Sequence, residues 1–299
     1  ALMLILFWDR LLSAFFSPGG LVARAMPAAI GMGVPVETEE PEQLRVQEQL
    51  IRFEVLEVEE DVSEEIRIEL LGTQSGSDVN LAGAEPKILI YHTHTTEAYA
   101  QTEQDPYVET TEFRSNDTEH NIVRVGEALA SVLREKYGIS VIHDTTNHEP
   151  PRLGTSYERS IKTMEAYHEQ YPSIELFIDV HRDAYTLKEG EVNTDYATVD
   201  GKRCARLMFV VGTGEGKTGA GFSVKPNYQV NYALALEIYE KLTGKNEKLT
   251  RPIRVKTGRY NQHIPGKALL VEVGHNANTL EEALNSIPYL AEAIASCGN

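Results

Sequence analysis

From residue 87 onward, the chain alternates between short apolar runs and longer amphipathic segments. The runs KILIYH (87–92), ISVIHD (139–144), IELFIDVH (174–181), CARLMFVVGT (204–213) and ALLVEVG (268–274) are typical of buried strands. The segments 121–138, 156–172, 227–244 and 279–296 place apolar residues at helical spacing. This alternation predicts an α/β fold, a three-layer, mostly parallel sheet with helices on both faces.

The first 86 residues have a different pattern. Residues 1–16 are strongly apolar but are interrupted by Asp9 and Arg10, and they are shorter than the about 20 apolar residues that a membrane span needs. They predict membrane association, as part of a signal sequence or anchor or as an amphipathic surface helix. The acidic stretch that follows contains FEVLEV (53–58) and IRIELL (66–71), whose alternation predicts strands.

Three segments follow from these patterns. Residues 1–36 are predicted to form an apolar N-terminal segment and linker, and residues 37–85 an acidic appendage and linker. Residues 86–299 are predicted to form the domain that carries the chemistry. The acidic segment is interpreted as a spacer or a docking arm for a partner.

Charge and cysteine content exclude several classes of protein. The formal net charge is −17 and the sequence pI is about 5.0, which argues against a nucleic-acid partner because phosphates would be repelled. Cys204 and Cys297 are the only two cysteines, and they form no Cys-x-x-Cys pair. A disulfide framework and a cysteine-based zinc module are therefore excluded.

Chemically active residues follow three of the predicted strands. His94 and Glu97 come after the KILIYH run, His181 ends the IELFIDVH run, and Glu272 lies in the ALLVEVG run. Because ligands bind beyond the carboxyl ends of parallel strands, these side chains are expected to meet. Two imidazoles and a carboxylate form a ligand set for zinc that leaves a position for water. A further carboxylate, Glu272, would act as general base, its pKa raised by partial burial.

Some assignments stay open at this point. His92 and His94 are expected to face the same side of a strand. His94 is favoured as the ligand because it forms a His-x-x-Glu pair with Glu97, which leaves His92 as a contact of a ligand or of the substrate. Asp183 is a candidate to orient an imidazole.

The segment RYNQ (259–262) precedes the Glu272 strand. Arg259 or Asn261 is a candidate to stabilise an oxyanion or to bind a substrate carboxylate. A solvated loop is the alternative interpretation of this segment.

Five motifs, in order, resemble the stage II sporulation protein P family: ILIYHTHTTEAY, NIVRVGEALASVL, IDVHRDA, RYNQ and LLVEVGHNANTLEEA. The resemblance covers residues 86–296. It implies a zinc N-acetylmuramoyl-L-alanine amidase with additional endopeptidase activity and a phosphorylase/hydrolase-like fold. It also implies an extracytoplasmic, membrane-associated role in engulfment. The implied partners are peptidoglycan, a lytic transglycosylase (stage II sporulation protein D) and a membrane anchor protein (stage II sporulation protein M).

The resemblance assigns His94 and His181 as the matching histidines and Glu272 as the catalytic glutamate. Two candidates stay open for the carboxylate ligand, because related amidases take it from the start of the first helix, where Glu119 lies. Glu97 is preferred here because a His-x-x-Glu pair needs no further loop geometry. Two other functions stay open: a zinc carboxypeptidase or endopeptidase acting on peptides, and a non-catalytic peptidoglycan-binding module.

Overall fold

The computed structural model describes residues 55–186 and 193–297. The strands are β1 (Leu56–Val58), β2 (Ile88–Tyr91), β3 (Val141–His143), β4 (Leu176–Asp183), β5 (Tyr196–Val199), β6 (Lys202–Ala205), β7 (Leu207–Gly212), β8 (Ile253–Lys256) and β9 (Lys267–His275). The helices are α1 (Glu64–Gly72), α2 (Ile122–Tyr137), α3 (Ser156–Gln170), α4 (Tyr228–Lys245) and α5 (Leu280–Ala295).

The interpretation of residues 1–36 as an apolar segment and linker lies outside the described residues, as does the start of the acidic segment. Within the described ranges, no helix has the length and apolar character required to cross a membrane.

A seven-stranded sheet in the order β1-β8-β7-β9-β4-β2-β3 forms the centre of the molecule. All neighbouring strands in it are parallel except β7 and β9, which are antiparallel. A separate antiparallel hairpin, β5–β6, packs against α5. The predicted α/β class with a mostly parallel sheet is confirmed. Strands β2, β4 and β9 lie side by side and end at the same edge, which is where the sequence predicts the chemistry.

Alternate residues of the strands enter two different cores. On one face, Ile88 and Ile90 pack with residues of α1, α2, α4 and α5. On the other, Leu89 and Tyr91 pack with Met164 of α3. The predicted helices on both faces are therefore present, with α2, α4 and α5 on the first face and α3 on the second. Cys204 and Cys297 are buried free thiols.

The described part of the acidic segment belongs to this sheet and its core. Strand β1 pairs with β8 at the sheet edge, as the alternation in FEVLEV predicts. The strand predicted over IRIELL is wrong, because residues 64–72 are helical. Ile66 and Leu70, four residues apart, are buried, whereas Ile68 is 62% exposed. A strand would have turned all three side chains to one face.

The segment that connects β2 to α2 is fixed at both ends. The Glu97 carbonyl accepts a 2.7 Å hydrogen bond from the amide of Ile122, and the amide of Ala98 donates to the carbonyl of Phe113. Asn121 caps α2 by accepting from the amide of Val123, and Gly138 ends the helix with a positive φ of 66°. These contacts hold Glu97 at the start of the segment against the end of β4.

The close approach of α2 to the end of β2 requires a glycine. A Cβ atom at Gly126 would lie 2.5 Å from Nε2 of His92 and 2.8 Å from Nε2 of His143. His92 cannot move aside easily, because its Nδ1 is bonded to the Val180 carbonyl at 2.9 Å and its Nε2 to His143 at 2.9 Å.

Gly126→Ala is therefore expected to destabilise the protein by about 1–3 kcal/mol, the usual cost of overpacking. Gly244→Ala is the matched control, since Gly244 also lies in a helix and a Cβ atom there would meet nothing within 4 Å beyond its own helix backbone. It should stabilise the protein by about 0.5–1 kcal/mol through helix propensity. Denaturant unfolding of both variants measures this, and equal effects of the two substitutions would contradict the packing argument.

Candidate active site

His181 and Glu272 are direct neighbours across two parallel strands. They are register partners in the pairing of β4 with β9, so their backbones are about 4.8 Å apart. His181 is 3% exposed. Two residues before Glu272, Leu270 packs with Met208, Val210 and Tyr260. Because side chains alternate along a strand, Glu272 is on the same sheet face as this cluster.

A buried chain of charges passes through His181. Its Nδ1 lies 3.4 Å from Oε2 of Glu97. Its Nε2 lies 2.9 Å from Oδ1 of Asp179, an ion-pair contact rather than a directed hydrogen bond. Thr93 fixes Asp179 by donating its amide at 2.8 Å and its hydroxyl at 2.6 Å. The Arg182 amide donates to Oε2 of Glu97 at 3.1 Å.

The pKa values in this chain follow from burial and pairing. Burial disfavours the imidazolium of His181, but the carboxylates of Asp179 and Glu97 raise its pKa well above the ordinary value. Burial would raise the pKa of Glu97, but His181, Arg182 and His94 lower it to about 2. Both carboxylates therefore carry negative charge, with the His181 ring between them.

His94 completes this group from the turn after β2. Its ring lies edge-on to that of His181, with 5.3 Å between centroids, and edge-on to Tyr157 at 5.7 Å. Its Nδ1 is buried and has no hydrogen-bond partner among the described residues. Burial and the charge of His181 lower the pKa of His94, which favours the neutral imidazole that ligates metals.

Glu272 is a buried carboxyl group without a hydrogen bond at Oε2 in the described part of the chain. Burial raises its pKa to about 8, and nearby Glu97 and Asp183 act in the same direction, while His181 and Arg251 oppose it. A carboxyl group that titrates near neutral pH can both accept and return a proton.

The donor types fit zinc. The structure brings His94, Glu97 and His181 together, and the unpartnered Nδ1 of His94 is available to ligate a metal ion. Within the described ranges, however, no group of three or more His, Cys, Asp or Glu side chains has the geometry of a metal site. The His181 ring instead forms ion pairs with Glu97 and Asp179.

Three candidates lie away from this group. His92 is fully buried on the α2 side and bonds to Val180 and His143. The expectation that His92 and His94 face the same side is wrong, because β2 ends at Tyr91 and the chain turns. The Glu119 side chain is 76% exposed, 3.8 Å from Arg124.

Asp183 is the third candidate that lies outside the group of His94, Glu97 and His181. A register shift in β4 follows His181, and Asp183 pairs with Arg251 at 2.9 Å. The position at Nε2 of His181 is taken by Asp179 instead.

The RYNQ segment borders a cleft beside the group. Arg259 donates to the Gly221 carbonyl at 2.8 Å and lines a cavity of about 950 Å³. Asn261 is buried, and its amide donates to the Tyr157 carbonyl and to Oγ of Ser160, both at 2.9 Å. Asn261 therefore fixes the start of α3, and with it the Tyr157 ring against His94.

Asp179 and Tyr157 were not identified from the sequence. Asp179 does carry a signal, since it is a carboxylate within an apolar strand, two residues before His181 and so on the same face. Tyr157 carries none, because a tyrosine in an amphipathic helix is ordinary.

Glu272→Gln is expected to change the pH dependence of stability of the metal-free protein. The folded-state pKa of about 8 is above the ordinary 4.5, so the stability contributed by Glu272 is fully present below pH 4.5 and is lost as the pH rises to about 8. Glutamine stays neutral. The melting temperature of the variant should therefore rise relative to that of the parent as the pH increases from 4.5 to 8.

Thermal unfolding of chelator-treated protein at several pH values measures this difference. Glu119→Gln, at an exposed side chain, is the control, and its melting temperature should change with pH as that of the parent does. A melting-temperature difference for Glu272→Gln that is constant with pH would contradict the buried, protonated carboxyl group.

Solved structures of amidases overlap weakly with this chain. N-acetylmuramoyl-L-alanine amidase AmiC2 of Nostoc punctiforme has a TM-score of 0.40 and 14% identity, covering 72% of this chain and 95% of the amidase. The catalytic domain of CwlV, an N-acetylmuramoyl-L-alanine amidase from Bacillus (Paenibacillus) polymyxa var. colistinus, has a TM-score of 0.37 and 15% identity, covering 70% and 94%. At these scores the overlap supports no statement about activity.

The sequence comparisons give a clearer result. Stage II sporulation protein P of Bacillus subtilis (strain 168) is 26% identical over 263 residues, which is 83% of this chain and 58% of the relative. The chain thus spans a little over half the length of this relative. The family profile described as stage II sporulation protein P matches residues 26–295. Because this match covers most of its length, the chain belongs to the stage II sporulation protein P family.

Proposed function

We propose that this protein is a zinc-dependent peptidoglycan hydrolase that cleaves the N-acetylmuramoyl-L-alanine amide bond during sporulation. The observation that carries the proposal is the meeting of His94, Glu97 and His181 beside the buried carboxyl group of Glu272. Family membership supports the link to sporulation. The motif resemblance supports the muramoyl amide as the bond and additional endopeptidase activity on stem peptides.

His94, Glu97 and His181 would hold the zinc ion. When bound, zinc supplies a Lewis acid for the amide carbonyl and lowers the pKa of water. Asp179 keeps the His181 ring in place through its contact at Nε2. Glu97 is kept against β4 by the Arg182 amide and by the backbone hydrogen bonds of the segment that connects β2 to α2.

Glu272 would move the proton. In its ionised form it accepts a proton from the attacking water, and it then returns this proton to the leaving nitrogen. Its pKa of about 8 suits both steps near neutral pH. Glu272 is the register partner of His181, so the two residues lie side by side on neighbouring strands.

The cellular setting is part of the proposal. Residues 1–36 would associate the protein with a membrane on the extracytoplasmic side, and residues 86–299 would carry the hydrolase activity. The proposed protein partners are the transglycosylase stage II sporulation protein D and the membrane protein stage II sporulation protein M. These assignments rest on the sequence pattern and on the motif resemblance.

Incubation of the full chain with purified peptidoglycan is expected to release intact stem peptides from N-acetylmuramic acid. A chelator should stop the release and zinc should restore it, with the new ends identified by mass spectrometry. Glu272→Gln should lower kcat by about 10²–10⁴-fold, since it removes general acid–base catalysis. Cleavage only within stem peptides would reassign the protein as an endopeptidase, and turnover that is insensitive to chelator would refute the zinc mechanism.

Glu97→Gln and Glu119→Gln separate the two carboxylates that the sequence left open. Loss of a ligand should cost at least about 100-fold in zinc affinity, beyond the usual cost of losing a supporting residue. We expect this for Glu97→Gln, which removes a buried carboxylate beside His181, and no change for Glu119→Gln. Competition with a chromophoric chelator measures both affinities without requiring turnover. The reverse order would identify Glu119 as the ligand.

A further inference from the structure

The cleft beside Arg259 is a large feature that the proposed chemistry does not use. It has a volume of about 950 Å³ and is bordered by the first turns of α3, residues 216–224 and residues 257–265. We call it the α3 cleft. Its volume lies within the range of ligand pockets, about 300–1,000 Å³.

Aromatic rings connect the α3 cleft to the proposed zinc ligands. Tyr260 and Tyr157 both line the cleft, and their rings are in edge contact at 5.8 Å. The Tyr157 ring then contacts His94 at 5.7 Å. Tyr260 packs with Leu270 on the sheet face to which Glu272 also belongs. A ligand chain in the cleft would therefore end beside His94 and Glu272.

A further aromatic ring, that of Phe222, lines the α3 cleft. Phe222 is 37% exposed, and the Arg259 guanidinium carbon lies 5.1 Å from its ring centroid. Arg259 also donates to the Gly221 carbonyl, so the ring is held at the rim. Exposed aromatic faces favour ligands with apolar C–H faces, which leave water when they stack.

The charges of the α3 cleft discriminate between ligands. Three carboxylates line it, those of Glu59, Glu158 and Glu165, against the two cations Lys217 and Arg259. Burial lowers the pKa of His263 to about 4, so this histidine is neutral at pH 7. An anionic peptide gains little in such a cleft, whereas a neutral ligand with hydroxyl and amide groups finds acceptors and donors around the rings.

We propose that the α3 cleft binds the neutral, N-acetylated glycan strand of the substrate, with Phe222 and Tyr260 as residues that stack on sugar rings. This inference rests on the proposed peptidoglycan substrate. It assigns Arg259 to holding the Phe222 ring, a positioning role away from the reacting bond. The glycan in the cleft then presents the attached amide to Glu272.

The probe is a tetramer of N-acetylglucosamine, which is neutral and lacks any stem peptide. Its binding to the full chain is measured by isothermal titration calorimetry. Phe222→Ala should weaken binding about five- to tenfold, the size of one lost aromatic contact, and Phe222→Tyr should restore it. Gly258→Ala should also weaken it, because a Cβ atom there would lie 2.5 Å from the Tyr260 ring.

Ile68→Ala is the matched control, since it removes an exposed apolar side chain on α1, outside the cleft. It should leave tetramer binding unchanged. Thermal unfolding of each variant separates a folding defect from a lost contact.

The absence of tetramer binding at millimolar concentration would overturn the inference, and so would equal affinity for Phe222→Ala and the parent. Binding of a free stem peptide that Phe222→Ala weakens would assign the cleft to peptide and would overturn it as well. The assay needs no turnover, so its outcome is separate from that of the hydrolysis experiment. A chain that hydrolyses peptidoglycan but fails this test refutes the glycan site alone, and a chain that binds the tetramer without hydrolysis refutes only the proposed activity.

Discussion

The pairing of His181 with two buried carboxylates is the constraint on which the site depends. Burying an unpaired charge costs several kcal/mol per ion, so Asp179, His181 and Glu97 are stable in the interior only as a set. Thr93 donates to both oxygens of Asp179, the Arg182 amide donates to Oε2 of Glu97, and Arg114 lies 3.6 Å from Oε1 of Glu97. Two chain segments that are distant in sequence, residues 93–97 and 179–182, are thereby held at one point. Removing one partner would leave an uncompensated charge, which is why the geometry is fixed even where no secondary structure imposes it.

The same set also ties the proposed zinc affinity to pH. In the metal-free protein the carboxylates favour a proton on His181, and this proton must leave before Nδ1 can act as a ligand. Glu97 is simultaneously the partner of that imidazolium and a proposed ligand. Zinc binding would therefore replace a proton by a metal ion within an existing negative site.

Much of the sheet was predictable because β2, β4 and β9 are apolar and rich in β-branched residues. Their shared carboxyl edge also made the grouping of His94, Glu97, His181 and Glu272 predictable. The helix over residues 64–72 was not, because its apolar residues fit a period of two as well as a helical one. The role of Tyr157 depends on how α3 packs beside the sheet. Sequence spacing carries no record of that packing.

The RYNQ segment shows how local strain and packing support each other. Tyr260 and Asn261 have positive φ values of 46° and 55°, a conformation that costs non-glycine residues free energy. Asn261 offsets this through its bonds to α3. Gln262 bonds to both the Gly212 amide and the Val210 carbonyl of β7. The strained turn thus connects α3 to β7, the strand that runs antiparallel to β9.

The edge position of β1 has a consequence for the order of folding. Glu57 of β1 and Arg254 of β8 are ion-paired although they are 197 residues apart in sequence. Such non-local pairing slows folding, because the chain must close a long loop before the contact forms. During synthesis, β1 leaves the ribosome before β8 and stays without its neighbour until residues 253–256 have been made. The same late segment carries β9 and Glu272, so completion of the sheet and completion of the site coincide.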